Sequence, residues 1–111
     1  MVVTTGPILN SAVNGLRPVQ MVTVKMMNKS LTQNASILIQ GYVLDQVRAI
    51  YVEEFFNLAP NAVFTNDYLA NVEGYEFVVS IDDNDAIEVS VWGKDGSGHI
   101  VSAHRLVSSE L

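Results

Sequence analysis

The chain has 111 residues, a formal net charge of −6, 49% hydrophobic and only 16% charged residues, and no cysteine. That length predicts one domain with one core, and the acidic balance argues against nucleic acid and anionic membrane surfaces as partners. The missing cysteines exclude a disulfide framework and a thiol nucleophile, and no apolar run approaches the ~18 residues of a membrane-spanning helix.

Residues 1–20 are mildly apolar, nearly uncharged, and broken by Gly6-Pro7, Asn14-Gly15 and Pro18. They are too interrupted for a helix. They are too apolar for a solvated tail, because Val2, Val3, Ile8, Leu9, Val13 and Leu16 would all face water. Chain termini fray unless something holds them. The expectation is an extended connector arm over residues 1–18 that docks on a sheet, its own or a neighbour's, ahead of a β-domain over 19–111. No basic region precedes an apolar stretch, so no secretory signal is read.

The remainder reads mostly as strands. Val22, Val24 and Met26 alternate with Thr23, Lys25 and Met27, and Asn28–Asn34 is a polar turn cluster whose two Asn-X-Ser sequons read as turn residues. Ile37, Ile39 and Val43 share a face opposite Gln40 and Tyr42. Leu44–Leu58 supports two readings. Leu44, Val47, Tyr51, Phe55 and Leu58 sit at helical spacing, while Val47–Phe56 is also a β-branched and aromatic run ended by Ala59-Pro60-Asn61. Tyr75, Phe77, Val79 and Ile81 alternate with Glu76 and Ser80, Asp82–Asp85 is a turn, and Ile87, Val89 and Val91 alternate with Glu88, Ser90 and Trp92. Lys94-Asp-Gly-Ser-Gly98 signals a hairpin, with His99–Val107 as the returning strand. Short strands with turn signals about every ten residues predict a β-sandwich or barrel.

Candidate chemistry is sparse. His99 and His104 are five apart on one expected strand, which puts them on opposite faces and prevents joint metal ligation. Asp82-Asp83-Asn84-Asp85 lacks the glycine and distal glutamate of a helix–loop–helix calcium site and reads as a solvated hairpin turn. Glu53-Glu54 and Glu73/Glu76 come with no base, nucleophile or phosphate cradle and read as surface charges, some guarding a sheet edge. No cofactor, no metal and no enzymatic activity are expected. Trp92 and Tyr42 fall on the polar-leaning sides of their strands, where a ligand platform or a covered outer face would place them. Trp and Arg favour interfaces, so Trp92 and Arg105 join the arm residues as expected interface anchors.

Two stretches carry a family resemblance: Thr5-Gly-Pro-Ile-Leu-Asn10 followed by Arg17-Pro-Val, and Val89-Ser-Val-Trp-Gly-Lys-Asp-Gly-Ser-Gly-His-Ile-Val-Ser-Ala-His-Arg-Leu-Val-Ser-Ser-Glu-Leu111. Together they resemble small cysteine-poor surface proteins of Bacillus-type endospore formers, found in the exosporium and as subunits of pilus-like endospore appendages. The resemblance implies a jelly-roll β-sandwich of about eight strands preceded by a connector, here Met1 to about Leu16, that docks into the next subunit and builds a fibre. This chain departs from the appendage pilins in lacking their connector cysteines. The expectation is therefore a structural homopolymer on the spore surface, made without a signal peptide and held by docked strands, with itself and other spore-surface proteins as partners. The alternative is a closed, trimeric jelly-roll module that anchors or caps a larger exosporium protein.

Overall fold

The structure is a computed structural model that describes residues 1–82 and 84–108. Among these described residues there are ten strands and no helix: β1 (Val2–Thr4), β2 (Ile8–Leu9), β3 (Met21–Asn28), β4 (Ala35–Leu44), β5 (Arg48–Leu58), β6 (Val63–Leu69), β7 (Gly74–Ile81), β8 (Ile87–Lys94), β9 (Ile100–His104) and β10 (Val107–Ser108). They form two antiparallel sheets. One runs β10-β1-β7-β4-β5, with β2 also on β7, and the other runs β6-β3-β8-β9.

The wiring is that of a folded ribbon. The chain segment β3–β4 is the middle of three, flanked by β5–β6 on one side and β7–β8 on the other. All three cross from one sheet to the other at the same end, between Asn28 and Ala35, between Leu58 and Val63, and between Ile81 and Ile87. This is a jelly-roll-like sandwich in which β9, the strand following β8, takes the edge beside it. The crossing end carries polar backbone that would be orphaned, and asparagine side chains satisfy it. Asn28 Nδ2 donates to Gln33 O (2.8 Å) and Leu58 O (3.1 Å), and Asn84 Nδ2 donates to Asn28 Oδ1 (3.3 Å).

The alternation read from sequence becomes the core. Val22, Val24, Met26, Ile87 and Val91 face Ile37, Ile39, Tyr75, Phe77, Val79 and Ile81, all buried. Phe77 is the hub, with ring contacts to Tyr68 at 5.5 Å, Tyr75 at 6.1 Å and Tyr51 at 6.2 Å. Gly41 makes room for it: a Cβ there would lie 2.9 Å from the Phe77 ring.

Leu44–Leu58 is a hairpin into strand β5, and its helical stripe is scattered: Leu58 is buried whereas Phe55 is 72% and Val47 74% exposed. A bulge opposite Gly41/Tyr42 inserts Tyr51 into β5. That extra residue mixes the two faces and makes the segment read as helix-like. Strand β6 was not anticipated, because its inward residues Phe64, Asn66 and Tyr68 include a polar one and its outward ends, Val63 and Leu69, are apolar. His99–Val107 is not one strand: β9 stops at His104 and Val107 pairs with Thr4 in the other sheet. The Asp82–Asp85 segment is not a solvated hairpin but a sheet crossing, with Asn84 buried; Asp83 lies outside the described residues.

Candidate assembly interface

The arm lies on its own chain. Val2, Val3 and Thr4 pair with Ser80, Val79 and Val78 of β7, and Ile8 and Leu9 pair with Tyr75 and Gly74. Val3 and Ile8 pack on the core, while Leu9 is 81% exposed. Gly6 (φ 66°) and Pro7, which has no N–H to donate, break the ladder between β1 and β2. The Thr5 hydroxyl bridges the gap by accepting the Phe77 N–H at 3.1 Å.

Asn10 anchors the arm's far end. It is buried, its Nδ2 donates to Val19 O (2.8 Å), Ala70 O (2.9 Å) and Val72 O (3.0 Å), and its Oδ1 accepts the Val19 N–H (3.0 Å). Outside it, Arg17 reaches Glu73 at 2.7 Å, and this guanidinium with the Ser11 hydroxyl holds the Glu73 carboxyl below its usual range. Between these anchors the chain makes a two-residue turn. Val13 and Leu16 exchange both backbone bonds, with Asn14 (φ 53°) and Gly15 (φ 82°) at the tip. Two positive φ values make this a type I′ turn, which Asn-Gly prefers. Val13 is 63% and Leu16 67% exposed on it.

The other expected anchors do not join this cluster. Trp92 is half-buried on the outer face of the smaller sheet, between Thr23 and Ala103, with its Nε1 donating to Ser90 Oγ at 2.9 Å. Arg105 is exposed in the crossing from β9 to β10. On the larger sheet's outer face, Arg48 lies 3.5 Å over the Tyr42 ring and 3.1 Å from Glu76, which also accepts from Thr4 Oγ1 at 2.8 Å. On this face Val2, Ser80, Leu38 and Phe55 lie in one cross-strand row and Thr4, Val78, Gln40 and Glu53 in the next, so apolar and polar side chains alternate.

The carboxylates are occupied structurally. Glu53 accepts from Gln40, while Glu54 turns inward and accepts from Tyr68 Oη (2.7 Å) and Asn66 Nδ2 (3.0 Å), closing the gap between β5 and β6. Burial and that carboxylate push the Tyr68 hydroxyl up, and burial pushes Tyr51 up to about 12. His99 sits exposed at the hairpin next to Asp95. His104 points inward, with its Nε2 2.6 Å from Tyr75 Oη, and desolvation lowers its pKa. Among the described residues no group of three or more His, Asp or Glu side chains is placed to hold a metal ion.

No protein-family model and no curated sequence matches the chain. Among solved structures it is similar to Thermotoga maritima 1070, with a TM-score of 0.58 and 14% identity over 97% of this chain and 89% of that one. It is also similar to the Anabaena sensory rhodopsin transducer, with a TM-score of 0.50 and 12% identity over 77% of this chain and 90% of that one. At such identities the likeness is one of fold: an all-β sandwich.

Proposed function

We propose that this chain is a structural, self-assembling subunit of a spore-surface fibre, in which the arm leaves its own β7 and docks on the β7 of a neighbouring subunit. The observation that carries the reading is how the arm is attached. It pairs with β7 in two short pieces, Val2–Thr4 and Ile8–Leu9, with added backbone bonds from Met1 to Ile81 and from Thr5 to Phe77, the ladder is interrupted at Gly6-Pro7, and the link to the body is an exposed turn. Every arm contact made within one chain is reproduced when the arm of one copy lies on the next. Exchange then breaks the two Val13–Leu16 bonds and opens the Asn14-Gly15 turn. The contact is heterologous, so repetition grows a chain of subunits. Leu9, Val13 and Leu16, exposed at the arm end, provide further apolar surface for the neighbour.

One observation favours the closed, trimeric exosporium module instead: the arm already fills β7 of its own chain and leaves no open acceptor. A single experiment separates the readings. Electron microscopy and light scattering on full-length protein should show elongated polymers. Deleting residues 1–9 should stop their growth, and a synthetic peptide of residues 1–10 should bind the vacated edge. Compact oligomers of fixed size that persist after the deletion would support the module and reject the fibre.

A further inference from the structure

We infer that the edge strand β5 is a second docking surface, and that its occupant is the β5 of another copy of this chain, running antiparallel. β5 ends the larger sheet and, among the described residues, pairs only with β4, so along its 11 residues one side of the backbone has no strand partner there. The outer strands β6, β9 and β10 are shorter, at seven, five and two residues, whereas β5 has 11 and carries no lysine or proline. Its guards are the bulge at Tyr51 and the charges Arg48, Glu53 and Glu54, and near its start Val47 is 74% and Ile50 47% exposed.

The strand is self-complementary. Residues 48–53 read Arg-Ala-Ile-Tyr-Val-Glu, a cation and an anion flanking four apolar side chains. Laid antiparallel on a copy of itself about the Ile50–Tyr51 midpoint, each Arg48 faces the second copy's Glu53. In an unbulged strand residues five apart lie on opposite faces. Here the extra residue at Tyr51 puts both on the outer face, Arg48 beside Glu76 and Tyr42, Glu53 beside Gln40. The guanidinium, held over the Tyr42 ring, has donors left after Glu76 for a second carboxylate. The pairing therefore joins two larger sheets into one, with an ion pair at each end of the seam and the exposed Ile50 of each copy on the outer face near its middle, while Tyr51 stays turned inward against Phe77 and Leu69 O. It uses no residue of the arm and does not depend on arm exchange.

The test is charge reversal in the full-length chain, read by sedimentation. Arg48→Glu alone and Glu53→Arg alone each place two like-charge pairs across the seam, and each should weaken self-association about tenfold, given what cross-strand charge pairs contribute. An equimolar mixture of the two variants restores opposite charges at both ends and should associate nearly as tightly as the parent protein. Far-UV circular dichroism checks that each variant folds, and Ile50→Lys, at an exposed position, carries the test if Arg48→Glu does not fold. Single variants or Ile50→Lys that associate like the parent, a mixture no tighter than its components, or parent β5 amides that stay unprotected at assembling concentrations would each overturn the proposal. Arm-dependent polymers that survive in both single variants with parental affinity would reject this edge while leaving the arm reading intact.

Discussion

Replacing Asn10 should destabilise this protein more than any other single polar side chain of the arm. The amide is a four-way connector in the interior: three carbonyls receive its Nδ2 and one backbone N–H reaches its Oδ1. Asn10→Ala leaves the Val19 N–H, Val19 O and Val72 O without it, whereas Ala70 O keeps the Val72 N–H at 2.8 Å. A buried backbone group stripped of its partner costs about 1–3 kcal/mol, and water entering at the half-buried Val72 end offsets part of this, so the loss should be about 3–5 kcal/mol. That is a large share of the ~5–15 kcal/mol that holds a domain of this size together. Asn10→Asp tests the logic, since it keeps the shape and removes the donor. At pH 7 a carboxylate would face three carbonyl oxygens, so this variant should be no more stable than Asn10→Ala. The same burial raises the introduced group's folded pKa above its unfolded value near ~3.9. The folded state then binds the proton more tightly, and the deficit relative to the parent should shrink as pH falls from 7 towards 4. Urea unfolding followed by circular dichroism at several pH values reads both effects. A loss under about 1 kcal/mol for Asn10→Ala, or an Asn10→Asp variant more stable than Asn10→Ala at neutral pH, would refute the claim that donation from this side chain holds the arm end.

Other consequences follow from the packing. His104 is held neutral by desolvation, so its folded pKa is below the unfolded one; its contribution to stability is complete above the unfolded pKa near ~6.5 and declines as pH falls through that value. Unfolding at pH 8 and pH 5 should show this slope in the parent and lose it in His104→Phe. Gly41→Ala should cost about 1–3 kcal/mol by overpacking against Phe77, measured as a lower denaturation midpoint with an unchanged denaturant slope. Phe77→Ala, at the centre of the aromatic cluster, should cost about 3–5 kcal/mol, enough to abolish a cooperative melt near body temperature. Phe55→Ser, at a side chain 72% exposed, should change stability by less than about 0.5 kcal/mol, and a larger loss in a thermal melt would contradict its outward placement.

The sequence by itself determined the β class and most of the core. The period-two patterns of Met21–Asn28, Ala35–Leu44, Gly74–Ile81 and Ile87–Lys94 are one-dimensional records of which side of a strand meets the other sheet, and they hold at most positions, with Thr23 buried on the outer side and Val43 and Val89 only half-buried on the inner. The Lys94–Gly98 hairpin was equally legible, since Gly98 at φ 85° and the Asp95 side chain accepting from Ser97 and His99 are local features. Only the tertiary structure decided the rest. It alone shows that the arm lies on β7 of the same chain, because a strand-capable segment specifies its hydrogen bonds but not whose sheet receives them. It alone shows that Asn10, Asn28 and Asn84 are interior connectors, since their partners lie up to 62 residues away and an asparagine beside a turn looks the same whether it faces water or a buried carbonyl. And it alone assigned β5, where one inserted residue shifts the faces within a strand, so that pattern and structure part company at the bulge and agree again on either side of it.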